Sequence, residues 1–307
     1  MEMTSIVTGL GTVCAMLAGA PLFAGIVNRQ KAIFTGRIGA PVLQPYYELA
    51  KLFRKETVRS SNASFLSTVA PVINFAAVMV VVAMVPMGIV KPLLSFDGDL
   101  ILFAYTLGLA RFFQIIAAMD IGSSMEGMGA AREATFAVFA EPIFFFTIGS
   151  IAFISGTTSM YEIYNSVQLT NLSYSIFILV CSISVFLLAV AESSRMPVDD
   201  PTTHLELTMI HEVMILDNSG VDLFLYQYAS YLRLLVYTML EASLFNALGA
   251  NPSMRFVYFG AVVALMTLVL ALVETVSVRF KMVSIPQYLL FATAIGVLNL
   301  LIYTFTR

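Results

Sequence analysis

Eight apolar stretches, each long enough to cross a bilayer, dominate this 307-residue chain. They lie at 4–27, 67–90, 99–119, 134–155, 173–192, 229–248, 254–276 and 284–305. About 20 apolar helical residues match the roughly 30 Å hydrocarbon core. The expected fold is therefore an all-α integral membrane protein with about eight transmembrane helices and amphipathic cytoplasmic helices, forming a single polytopic domain over 1–307. Only 11% of residues are charged, against about a quarter in soluble domains. That excludes a single soluble enzyme domain and a disordered or collagenous chain. A net charge of −3 gives no nucleic-acid footprint.

The positive-inside rule supplies an orientation. The first connection carries Arg29, Lys31, Arg37, Lys51, Arg54, Lys55 and Arg59, and same-side connections add Arg132, Arg195, Arg279 and Lys281. The opposite side holds Lys91, Arg255 and Arg307. Both termini are thus expected outside, with the first span retained as a helix. The two long connections, near 28–66 and 193–228, face the cytoplasm, where a large partner could dock. The only cysteines, Cys14 and Cys181, sit far apart in apolar runs. They support neither a disulfide scaffold nor an iron–sulfur or zinc site in this chain.

In the first long connection, glycines and prolines over 36–45 mark a turn region. Pro45 suits a first helical turn. Tyr46, Leu49, Ala50 and Phe53 then recur at helical spacing as an apolar face, opposite Glu48, Lys51, Lys55 and Arg59. This predicts an interfacial amphipathic helix, either an anchor on anionic lipid or a shelf for a peripheral subunit. Arg37, Gln44, Glu48 and Lys51 are its interface candidates.

Charges at bilayer depth are costly and usually face a polar interior. Arg111, Glu141, Glu241 and Glu274 fall within spans, and Glu192 and Arg195 lie at the inner end of the fifth. Arg233 and Glu241 are eight residues apart, so they share a helix face. Spread over several helices, these groups read as a polar axis able to carry protons, or else as ion pairs fixing helix packing. Pro142 beside Glu141 removes a backbone donor and can bend the helix there.

The second long connection offers Asp200-Pro201 as a helix start and Gly220 as a stop. His204 and His211, the only histidines, are seven apart. Glu206, Glu212 and Asp217 lie near them. The spacing is not that of a zinc motif, so no metal is expected. An acid–histidine cluster at the mouth of the polar axis would hold protons; a solvated surface helix is the alternative.

Several segments carry a resemblance. They are Leu43-Gln44-Pro45 through Lys51-Leu52-Phe53-Arg54-Lys55-Glu56, then Ala110-Arg111-Phe112-Phe113 and Asp120-Ile121-Gly122-Ser123. Gly127-Met128-Gly129-Ala130-Ala131-Arg132-Glu133 and Glu141-Pro142 continue it. The strongest is Glu192-Ser193-Ser194-Arg195-Met196-Pro197-Val198-Asp199, followed by Thr203-His204-Leu205-Glu206-Leu207-Thr208-Met209-Ile210-His211-Glu212. The chain resembles the complex I subunit 1 (H-subunit) family over nearly its whole length. Within it, the chain is most similar to the membrane subunits of group 4 energy-converting nickel–iron hydrogenases, of the formate hydrogenlyase and hydrogenase-4 component C type. Gly39-Ala40-Pro41 and the Thr203–Glu212 run depart from the complex I pattern toward the hydrogenase side.

The resemblance implies a place in the prokaryotic cytoplasmic (inner) membrane. It implies hydrogenase-like large and small subunits and iron–sulfur subunits above, and antiporter-like membrane subunits beside. A NiFe centre and iron–sulfur clusters would belong to those partners, and this chain would bind no cofactor. Glu141 and Glu192 match acids of the family's ion path, and Arg195 and Asp199 match the family's arginine and aspartate beside it; Arg132 and Glu133 fall in a matching segment near its entry. The expected role is non-catalytic: coupling electron transfer in the hydrogenase arm to proton or sodium translocation. The alternatives are a quinone-chamber subunit of a complex I-type enzyme, a purely structural anchor, and a lone secondary transporter.

Overall fold

A computed structural model describes residues 2–88, 90–166, 172–199, 209–245 and 251–306. His204 and Glu206, with the expected helix start at Asp200-Pro201, lie outside the described residues. The helices are α1 (Glu2–Phe34), α2 (Gln44–Phe53), α3 (Phe65–Met84), α4 (Asp99–Asp120), α5 (Ser124–Ser155), α6 (Met160–Ser166), α7 (Leu172–Glu192), α8 (Gly220–Leu244), α9 (Pro252–Val276) and α10 (Ser284–Thr306). A 3-10 turn spans Glu212–Ile215.

Seven of these helices, all but α2, α6 and α8, are long and apolar enough to cross a membrane. The chain is a multi-pass helical membrane protein. Its eighth long helix, α8, has 25 residues but carries Asp222, Gln227, Arg233 and Glu241 along its length. It tolerates them because it is the central helix. It packs against α1, α2, α3, α7 and α9, and residues 232–244 are buried without interruption. A helix walled by protein needs no lipid-facing hydropathy. By contrast, α9 exposes Phe256, Val257, Leu265, Leu268 and Leu272.

Boundaries differ from the expected ones for local reasons. The third helix stops at Met84, because Pro86 lies just ahead and biases Val85 to its observed extended conformation. Helix α5 begins ten residues early, at Ser124, and runs through Pro142 to Ser155. Gly220, expected to end a helix, opens α8 instead. Its φ is 53°, and an added Cβ would lie 2.5 Å from the Glu56 carbonyl oxygen. There the two long connections are stitched together: Val58 N–H donates to Ser219 Oγ at 2.8 Å, and Ser219 Oγ–H donates to the Val58 carbonyl at 3.0 Å.

Helix α2 forms with Pro45 in its first turn. It buries Pro45 and Leu49 against α1 and α8. Of the rest of its expected apolar face, Ala50 is exposed and Phe53 is 62% exposed. Phe53 still meets the Phe224 ring edge-on at 5.4 Å.

Candidate functional site

Charges from six segments converge at one end of the bundle. Arg111 sits on α4, and its Nε lies 3.1 Å from Glu133 Oε1 of α5. The same guanidinium pairs with Glu192 at the end of α7. The other oxygen of Glu133 faces His211 Nε2 at 3.3 Å. His211 Nδ1 is 3.4 Å from Asp199 Oδ2, while Arg279, between α9 and α10, donates to Asp199 Oδ1 at 3.0 Å. Arg233 of α8 lies within electrostatic reach of Glu192 and Glu133 and donates to Gln114 Oε1 at 3.5 Å. Asn74 of α3 donates to the same oxygen at 3.4 Å.

Arg111, Glu133, Glu192, Asp199 and Arg233 are buried. Buried charges are tolerated when paired and hydrogen-bonded, and here each carboxylate meets at least one cation. At His211, burial disfavours the charged form, but the Glu133 and Asp199 carboxylates outweigh it and push the imidazole up to about 10. Burial also acts against the Asp199 carboxylate; His211 and Arg279 overcome it and hold the group below the usual aspartate value.

The segment 209–217 delivers His211 by lying on the first turns of α5. The Met209 carbonyl accepts from Arg132 at 2.8 Å, and Asp217 N–H donates to Glu126 Oε1 at 2.9 Å. Asp199 Oδ2 accepts from the backbone of Ile210 and His211 at 3.2 and 3.0 Å. Between these ties, Val213 packs where a Cβ on Gly129 would come within 2.3 Å, so only glycine lets the strap sit this close.

Beneath the strap is a cavity of about 370 Å³, into which Lys31, Glu48, Arg195, His211, Arg233 and Glu274 project, with Glu212 and Gln114 also in its wall. Arg195 donates to Glu274 Oε1 at 3.1 Å, and Lys31 meets Glu274 Oε2 at 3.2 Å. Gln44 donates to Glu48 Oε1 at 3.2 Å. Met196, Ile215, Tyr226, Tyr231 and Leu234 share the cavity wall with the charges, so it can take water, ions or a molecule with both polar and apolar parts.

Smaller spaces share lining residues with it. One of about 20 Å³ touches His211, Glu133, Arg111 and Glu192. The next, about 80 Å³, touches Arg111, Glu192, Tyr237 and Glu141. Tyr105, Arg111 and Glu141 also line an open groove between α4 and α5, with Leu109 and Phe112. Glu141 itself is exposed on the α5 surface, midway along that helix, rather than facing the interior as its position in a span had suggested. Glu241 is buried but stands apart, with Ser182 as its hydrogen-bond partner. Arg37 and Lys51 are exposed at the rim, and the Asp217 side chain is exposed beside the strap.

Sequence reasoning did not pick out Gln114, Asn74, Glu126, Lys31 or Arg279 for this site. Asn74 and Gln114 lie within apolar spans, a signal that polar residues at such depth give. Arg279 and Lys31 carried only a topological meaning until folding brought them to Asp199 and Glu274. Among the described residues, no three His, Cys, Asp or Glu side chains are grouped to hold a metal ion.

Fold and site together define a polytopic membrane protein with an internal charged network open to one membrane face. Comparison with known proteins gives the class a family. A family model described as NADH dehydrogenase matches residues 7–304, and the chain belongs to that family. It is 27% identical to hydrogenase-4 component C of Escherichia coli (strain K12), over 80% of this chain and 76% of that one. It is also 27% identical to formate hydrogenlyase subunit 4 of the same organism, over 85% and 82%. A chain of the membrane-bound sulfane sulfur reductase, an archaeal respiratory membrane complex, shares the fold with a TM-score of 0.81 at 20% identity, covering 97% of this chain and 99% of that one.

Proposed function

We propose that this chain is the membrane-anchoring and energy-coupling subunit of a complex I-like respiratory hydrogenase. It sits in the cytoplasmic membrane with both termini outside. Hydrogenase-like large and small subunits and iron–sulfur subunits dock over the strap and α2, and antiporter-like subunits lie alongside. The NiFe centre and clusters belong to those partners and supply the electron chemistry; this chain responds to the charge they move.

The observation that carries the reading is the string of spaces and charges from the 370 Å³ cavity to Glu141. A negative charge arriving above the strap raises the proton affinity of the nearest acids, Glu212 and Glu133. Low-dielectric coupling then passes the perturbation to Glu192 through Arg111, which touches both. The string ends at Glu141 on the α4–α5 groove, a carboxyl at lipid depth that needs a neighbouring membrane subunit to cover it. The ion therefore leaves sideways, toward a partner, rather than straight through the bundle.

The test uses the whole complex in sealed inside-out vesicles. Glu141→Gln should keep hydrogen evolution while ion pumping falls on the order of a hundredfold, the loss typical of removing a proton-transfer group. Glu192→Gln should do the same. Unchanged pumping in both variants would overturn the path and leave a structural anchor.

A further inference from the structure

The far half of the bundle holds a second polar assembly that the coupling path does not use. Glu241 of α8 is eight residues beyond Arg233, about 12 Å along the helix, and 2% exposed. One of its oxygens, Oε1, accepts from Ser182 Oγ of α7. The other, Oε2, has no hydrogen-bond partner among the described residues, and no cation pairs with this carboxyl there. Two more buried oxygens nearby are also unpartnered: Tyr164 Oη of α6 and Asn299 Oδ1 of α10. Tyr164 is 1% exposed and Asn299 0%.

These groups belong together. Tyr164 and Cys181 both lie within electrostatic reach of the Glu241 carboxyl. Cys181 is adjacent to Ser182, and Asn299 Nδ2 donates to its sulfur. Asn299 also donates to Ser150 Oγ of α5 at 3.2 Å. Both amide hydrogens are thereby turned away, and the amide oxygen is left as a pure acceptor. Four helices thus bring three open oxygens around the Cys181–Ser182 step of α7.

A buried carboxylate needs a compensating positive charge. A proton on Oε2 adds a single O–H donor, which can answer at most one of Tyr164 Oη and Asn299 Oδ1. None of the three oxygens has a hydrogen-bond partner among the described residues, and an open buried oxygen is costly. A hard cation takes all three oxygens as ligands, since such ions coordinate carboxylate, amide and hydroxyl oxygens. One carboxylate calls for one positive charge. We infer that Glu241, Tyr164 and Asn299, helped by Ser182, form a binding site for a monovalent alkali cation of sodium size. The site is separate from the strap-end network and does not depend on the coupling reading.

The test is carbodiimide labelling of Glu241 in the purified whole complex, read by peptide mass spectrometry in sodium, potassium or choline chloride at equal ionic strength. Sodium should slow labelling roughly tenfold at ten times its dissociation constant, and choline should not. In Asn299→Leu and Tyr164→Phe the carboxyl should still label but lose the sodium protection. A second readout covers a carboxyl that no reagent reaches: sodium should raise the unfolding temperature of the complex more than choline does, and Glu241→Gln should abolish the difference. Labelling that proceeds at the same measurable rate in all three salts would mean a proton alone occupies the site and overturns the inference. So would a sodium-specific thermal shift that survives in Glu241→Gln, or no such shift in the native complex.

Discussion

Glu192 and Glu241 are both buried acids near helix ends of one bundle, yet their surroundings differ in kind. Glu192 is clasped by Arg111, which also holds Glu133, and it lines a small space together with Glu141. Among the described residues, Glu241 has a hydroxyl donor and one unpartnered oxygen but no cation. In the first region acids face fixed cations: Glu133 and Glu192 meet Arg111, and Glu274 meets Lys31 and Arg195. In the second, no cation of the described residues pairs with the carboxyl, and the inferred ion would balance it. The two proposed roles, relay in one region and ion binding in the other, follow from that difference.

The largest effect should come from removing the shared cation. Arg111→Leu strands Glu133 and Glu192 together and should cost about 3–5 kcal/mol, the usual result of breaking a buried pair from one side. Thermal unfolding of the complex measures it. Arg111→Lys keeps the charge but loses the fork that reaches both carboxylates, and should recover only part of the loss. If Arg111→Leu were no more damaging than Glu241→Gln, the contrast between the two regions would fail.

The strap sharpens the comparison through pH. His211 is pushed up to about 10 by Glu133 and Asp199 against the effect of burial. Its contribution to docking is complete below its ordinary value and is lost as pH rises through the folded one. Asp199 is held low, so its contribution is present above the ordinary aspartate value and is lost as pH falls through the depressed one. The strap should stay seated across the neutral range and open at both extremes. Hydrogen exchange over 209–217, normalised to intrinsic rates at each pH, should rise roughly tenfold toward the alkaline limit. His211→Gln should flatten the alkaline rise, and an unchanged rise would remove His211 from the latch.

The smallest effect is expected at the rim. Arg59 Nε meets Asp222 Oδ2 at 2.9 Å, with the arginine side chain 45% exposed. Arg59→Gln should cost less than about 1 kcal/mol, because water and salt screen such a pair. A loss comparable to that of Arg111→Leu would show that burial is not what separates these ion pairs.

What the amino-acid order determines alone is the set of lengths and faces. Runs of spanning length gave seven apolar helices close to where the eye places them, and Pro45 and Pro86 mark a helix start and stop by local sterics. The stretch around Glu192 and Arg195 could be singled out because charges beside apolar runs are conspicuous, and the Arg132-Glu133 pair because its segment carries the family resemblance. The tertiary structure decided which charges meet. Arg111, Glu133, Glu192, Asp199, His211 and Arg279 come from five segments far apart in the chain, and no local pattern encodes their convergence. Helical spacing put Arg233 and Glu241 on one face, yet neighbouring helices assign them to different clusters. Glu141 fell inside an apolar run, and only packing turned it outward. The physical reason is that hydropathy and backbone sterics act over a few residues of one chain segment. The partner, dielectric surroundings and charge of a buried side chain are set by whatever other helices fold against it.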